Sequence, residues 1–312
     1  MQVVPRPFGQ VLGDAMSSVG RIWRTLALPA ILVFVPAGIG TFLLFRETGA
    51  IDVLDAILNR PGSLNTLPDD AMMEFLLPFY RATVLATLIN MAAASFVFVT
   101  AHRIVAADIA GWNPPRSVTG ETLPQSLAGF GAWLIAAVTV MILFFLGLTL
   151  WMIPAISVGA PNATSTLIAG FLLPVLLAPA VWVWVSASMA TPVIALEETG
   201  VIGALRRSFA LIRGRWWPTL GYVLLVGLFG LVAIQLIQLV AIPLMAMGGL
   251  GPAVDAAAVL GIVAQGLIVA GIGAMYTWWY VDLRARKETL LSEDLTPTPR
   301  SPDGPPTAPP VS

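Results

Sequence analysis

Thr191–Leu220 reads TPVIALEETGVIGALRRSFALIRGRWWPTL and holds the densest charge in an otherwise apolar chain. It lies between two long hydrophobic runs. Pro192 is expected to end the preceding run, with Glu197 and Glu198 in a first helical turn, where the positive helix end favours acids. Arg206, Arg207, Arg213 and Arg215 then load the later turns. Val201, Ile202, Leu205, Phe209 and Ile212 recur at helical spacing, which predicts a basic amphipathic helix of about four turns. Such a helix lies in the headgroup layer with its apolar side down and its arginines on lipid phosphates. Gly214 is expected to break it, and Trp216 and Trp217 fit the aromatic belt where a spanning helix begins.

Composition agrees with a membrane setting. The chain has 312 residues, 57% of them hydrophobic and only 11% charged, with a mean hydropathy of +0.87. These values predict an all-α polytopic membrane protein. A net charge of -1 says little, because in such proteins the placement of charge matters more than its sum. With no cysteine, disulfides, thiolate metal sites and cysteine nucleophiles are excluded. The first 25 residues are too polar and glycine-rich for a signal peptide, so the first apolar run is expected to remain as a span.

Runs of spanning length fall at Leu26–Phe45, Ala82–Val105, Ala132–Ile153, Leu167–Ala190, Leu220–Met245 and Ala257–Val281. On this reading Arg46, Arg60 and Arg81 lie on one side and the other thirteen basic residues on the opposite side. That bias predicts cytoplasmic N- and C-termini. The loop of residues 47–80 carries Asp52, Asp55, Asp69, Asp70 and Glu74, and suits either a solvated cap or a site for a cationic partner. Residues 291–312 form a proline-rich tail expected to be disordered.

Phe8–Leu26, FGQVLGDAMSSVGRIWRTL, resembles the central stretch: aligning Trp23 with Trp217 also matches Gly9 with Gly203, Gly20 with Gly214 and Arg21 with Arg215. A third copy runs through SVTGETLPQSLAGFGAWLI, from Ser117 to Ile135. The expected unit is an interfacial helix followed by a helical hairpin, used three times with equal orientation, in an arc or pseudo-threefold bundle. The middle of no span carries Asp, Glu, Lys or Arg, which counts against an ion-coupled carrier. Asn90, Ser95, Ser186, Ser188, Gln235, Gln238 and Gln265 suit hydrogen bonds between helices. Gly266, Ala270 and Ala274 form a small-residue row expected to bring the last two helices together. The single histidine, His102, suits packing, with Asp108 as a partner for it or for Arg103.

Two stretches, Ala195–Gly221 and Tyr280–Leu290, together with the opening RPFGQVLGDA, resemble the bacterial membrane-domain family named for glycerophosphoryl diester phosphodiesterases, in its actinobacterial form. The resemblance implies a six-helix domain of a bacterial plasma membrane. Some members carry a soluble phosphodiesterase barrel, which would need about 250 further residues and is not expected here, so the family's name is not carried over as an activity.

The expected function is that of a non-catalytic membrane protein whose Arg21, Arg24, Arg206, Arg207, Arg213 and Arg215 engage anionic lipids or scaffold membrane partners. Two alternatives stay open. One is a transporter or channel for a lipid or apolar solute, with its path among Asn90, Gln235, Gln238 and Gln265. The other is an accessory subunit of a separately encoded lipid-processing enzyme. No cofactor, metal or nucleic acid is called for; lipids, a protein partner or a second copy are the expected partners.

Overall fold

The computed structural model describes residues 2–50, 53, 69–112, 119–157, 163–248 and 252–295. Among the described residues the long helical elements are, in order, α1 (Phe8–Glu47), α2 (Asp69–Ala110), α3 (Thr119–Ser157), α4 (Ala163–Ala187), α5 (Ala190–Glu197), α6 (Val201–Ile212), α7 (Trp216–Gly248) and α8 (Pro252–Lys287). Six of them, all but the short α5 and α6, include stretches long and apolar enough to cross a membrane, so the fold is all-α and polytopic. With 40 residues α1 is about 60 Å long, roughly twice the hydrocarbon thickness, and its first half therefore extends beyond the span.

The hairpins α1–α2, α3–α4 and α7–α8 pack side by side as an arc. The first hairpin is central, with α2 against α3 and both of its helices against α8, while α4 and α7 meet only sparsely. Small residues explain the close approaches. A Cβ at Gly266 would stand 3.1 Å from both the Ala30 carbonyl and Phe34, one at Gly273 2.9 Å from Phe98, and one at Gly230 2.9 Å from Ile272. The row headed by Gly266 thus faces α1 rather than α7, and α7 meets α8 through Gly230. Outward-facing Leu28, Leu32, Leu224 and Leu228 are left without protein cover, as lipid-facing residues should be.

Only the central one of the three expected surface helices stands as a separate element. Phe8–Leu26 and the run from Thr119 to Trp133 are N-terminal extensions of α1 and α3. The reason is local. Gly214 adopts a left-handed φ of +84°, and Pro218, which lacks an N–H, occupies the third position of α7, where no helical hydrogen bond is due. The residue aligned with Pro218 is Arg24, so α1 keeps its ladder through Gly20.

The opening of the central stretch is core, not surface. Ala190–Leu196 is buried throughout, with Val193, Ile194 and Ala195 fully so. The chain breaks at Ser188–Met189 rather than at Pro192, which lies inside α5. Glu197 ends α5, and Glu198 adopts a left-handed φ of 50°, so neither acid opens a helix. The buried break is satisfied from α6: Ser208 Oγ accepts the Met189 N–H at 3.1 Å and donates to the Ser186 carbonyl at 2.6 Å. Ser208→Ala should cost about 1–2 kcal/mol by orphaning two backbone groups, read as a lower melting temperature with unchanged helicity.

The first and last described segments meet. Gln2–Val3 (β1) pairs antiparallel with Leu290–Leu291 (β2), followed by a 3₁₀ turn at Ser292–Leu295. Leu290 and Leu295 are buried, so the folded domain runs to Leu295, past the expected boundary at residue 291. Asp282 accepts the Arg6 backbone N–H at 2.8 Å and the Arg286 guanidinium at 2.6 Å, which fixes the pairing to α8. The tail from residue 296 lies outside the described residues. So does most of the acidic loop, although residues 69–80, expected in that loop, already belong to α2.

Candidate functional site at the charged end

Ion pairs gather where α1 and α6 begin and α2, α5 and α8 end. Arg207 Nε stands 3.0 Å from Glu197 Oε2, and Arg207 Nη2 stands 2.7 Å from Glu288 Oε1. Arg284 Nε lies 2.6 Å from Glu288 and 3.7 Å from Glu197, and the Tyr280 hydroxyl donates to Glu197 Oε1 at 2.6 Å. Two arginines and two glutamates therefore alternate in a ring that ties α5, α6 and the end of α8 together. Burial lowers the Arg207 pKa, but Glu197 and Glu288 outweigh it and hold the guanidinium above its ordinary value. Arg207 is thus an internal tether, not a residue free for headgroups.

Arg103, almost fully buried in α2, serves the C-terminal end of α5. Its guanidinium lies 3.6 Å from Glu198, and its Nε donates to the Ala195 carbonyl at 3.4 Å, a cation at the negative end of a helix. Asp108 pairs with neither Arg103 nor His102. It accepts from Ser18 Oγ at 2.7 Å and from Arg21 at 2.8 Å, joining the extension of α1 to the end of α2. Arg21 is therefore also engaged. His102 is buried, with Nδ1 2.8 Å from the Thr277 hydroxyl, which itself donates to the Gly273 carbonyl. That leaves Nδ1 as the donor to Thr277.

The other candidate arginines differ. Arg206, Arg213 and Arg215 are exposed, and their side chains make no ion pair or hydrogen bond among the described residues. Arg24 lies over Trp23, its guanidinium carbon 5.5 Å from the ring centroid. Trp23 and Trp217 stand beside them, 54% and 76% exposed. On α6 the buried side is Ala204, Ser208, Leu211 and Ile212, while Ile202, on the expected apolar side, is left without protein cover.

Between α4, α6 and the start of α7 lies an open pocket of about 460 Å³, lined by Trp182, Ser186, Phe209, Ile212, Arg213 and Trp216 among others. Trp182 and Phe209 meet edge-on at 5.4 Å. The Trp216 indole Nε1 is buried without an acceptor among the described residues. Helical periodicity pointed to none of this, nor to Ser208. Those contacts join α6 to α4 and α7, and only the Arg284–Glu288 spacing of four residues was a local signal.

Among the described residues, the polar side chains of the spans do not line a common path. Asn90 Nδ2 donates to the Ala86 carbonyl at 2.8 Å and to Thr41 Oγ1 at 3.3 Å, bridging α2 to α1. Ser95 Oγ bonds the Ser126 carbonyl at 2.9 Å, linking α2 to α3. Gln235 on α7 and Gln265 on α8 are exposed, and the side chain of Gln238 lies outside the described residues.

No curated protein and no solved structure matches this chain. A family described as a domain of unknown function, DUF7847, matches residues 8–283, which reach from the start of α1 to Leu283 in α8 and include Glu197 and Arg207 of the charged end but not Arg284 or Glu288. The chain belongs to that family.

Proposed function

We propose that this is a non-catalytic, multi-pass protein of a bacterial plasma membrane that engages anionic lipids through its charged end, with both termini cytoplasmic. The observation that carries the reading is a division among neighbouring arginines. Arg207 and Arg21 are consumed by ion pairs, whereas Arg206, Arg213 and Arg215, with Arg24 over Trp23, stand exposed beside two exposed tryptophans. Cations next to interfacial indoles suit a headgroup layer. The resemblance of Ala195–Gly221 and Tyr280–Leu290 to the membrane-domain family named for glycerophosphoryl diester phosphodiesterases supports a bacterial plasma membrane as the setting.

The test spares Arg207 and Arg213. An Arg24→Glu/Arg206→Glu/Arg215→Glu variant, purified in nanodiscs of mixed phosphatidylglycerol and phosphatidylcholine, is expected to lose most of the wild type's enrichment of phosphatidylglycerol around the protein. Each lost charge is worth about 1 kcal/mol near an anionic surface. Unchanged enrichment would overturn the reading and leave these arginines as topology signals alone.

A further inference from the structure

We propose that the outward face of α7 is an interface between two copies of this chain, closed around the amide of Gln235. The face is one stripe. Leu224, Leu228, Leu231 and Gln235 recur at alternating steps of four and three residues, and all are exposed in a single copy. Tyr222 and Gly230, on the other side of the helix, face α8: the Tyr222 hydroxyl donates to the Met275 carbonyl and Gly230 packs on Ile272. Alternating steps of four and three make the seam of a left-handed helix pair. Any helix with one uncovered side shows such spacing, and the outward side of α3, with Val138, Met141 and Phe145, shows it too.

The amide sets α7 apart. Elsewhere in the spans Thr87, Asn90, Thr139 and Thr149 each donate to the carbonyl four residues earlier, so their polar atoms are satisfied within their own helix. The side chain of Gln235 makes no hydrogen bond among the described residues. It lies fifteen residues beyond Leu220, where the apolar run begins, and is thus about 22 Å into a hydrocarbon layer of about 30 Å. Gln265 on α8 is exposed and unpartnered in the same way, and stands at the same level, because Gly230 meets both Ile268 and Ile272 between oppositely directed helices.

The occupant of this face must present a donor and an acceptor at that depth, which acyl chains cannot do. A second copy can. Both copies insert in the same sense, so a twofold axis along the membrane normal sets Gln235 opposite its counterpart at equal depth. A carboxamide carries both a carbonyl oxygen and an NH2 group, so two of them pair reciprocally. One polar residue in an otherwise apolar seam also fixes register and the number of partners. The interface is separate from the lipid-engaging residues of the charged end and stands or falls without them.

The chain has no cysteine, so single-cysteine variants report the contact directly. In membranes oxidised with copper phenanthroline, Leu231→Cys is expected to link two copies, whereas Phe145→Cys, equally exposed on α3, is not. Energy transfer between labelled copies in liposomes, followed as lipid dilutes the protein, gives the affinity. Gln235→Leu should weaken pairing about tenfold. Its melting temperature in detergent as a monomer should stay that of the wild type, since the amide holds nothing within its own chain. Gln235→Asn, which keeps a carboxamide, should retain most of the pairing. Wild-type affinity in Gln235→Leu would overturn the proposal, and so would equal linking at both cysteines, the mark of random collision. A monomer at every dilution would overturn it and leave the face to lipid. A Leu231→Cys adduct with a different protein, and none with a second copy, would overturn it and assign the face to that protein.

Discussion

Glu197→Gln is expected to cost about 3 kcal/mol of stability, the largest loss for any single polar substitution at the charged end. Glu197 is 16% exposed at its side chain and answers Arg207, Arg284 and the Tyr280 hydroxyl together. Glutamine keeps the shape and one acceptor but leaves two guanidinium groups sharing Glu288. Removing one member of a largely buried set costs more than the set's net worth, because the remaining charges stay desolvated. A double-mutant cycle with Arg207→Gln measures the coupling by thermal unfolding in detergent, and about 1–2 kcal/mol should return in the double variant. Should Glu197→Gln melt like the wild type, the ring contributes no more than exposed surface pairs do.

Gly266→Leu should be comparably damaging, about 3 kcal/mol, for a steric reason. The ideal Cβ at this position already meets the backbone oxygen of Ala30 and the Cβ of Phe34, both at 3.1 Å, and neither is the yielding end of a flexible side chain. A leucine there must push α8 off α1, and overpacking of a close helix contact costs energy in lipid as it does in water. Gly227→Leu is the control, since a Cβ at Gly227 meets nothing within 4 Å. Equal losses at both positions, measured by unfolding or by helix-pair crosslinking, would show that the α1–α8 contact is not specially tight.

How much of this was legible in the sequence differs by level. The six spans were, because a run of about 20 apolar residues has few other uses. The helices run past the expected spans, α1 from Phe8 rather than Leu26 and α2 from Asp69 rather than Ala82, and the fourth helix breaks three residues before Ala190. The separate central helix was legible too, since Gly214 and Pro218 are local signals. Its neighbours were not. TPVIALE looked like a surface approach because its prolyl and acidic residues match a helix start, yet it is buried by α2 and α3, and long-range packing overrode the local cue. Among the candidate arginines, sequence could not separate Arg207 from Arg206: adjacent residues on a helix point about 100° apart, and only the fold shows which one meets Glu197 and Glu288. Gln235 and Gln265 illustrate the same limit in the spans, since polarity alone did not reveal that they face outward.

The pairing of β1 with β2 orders the assembly of this protein in time. Gln2 and Val3 are made before their partners Leu291 and Leu290, which come after the sixth span, and Arg6 reaches Asp282 across 276 positions. The N-terminal strand must therefore wait, unpaired, until the last helix has been inserted. Contacts of such sequence separation form late because the chain between them must first be ordered. The strand pair then closes around the spans that separate its two halves. A chain lacking Leu290 and Leu291 would keep the helices through Lys287 but leave Gln2 and Val3 without their strand partner.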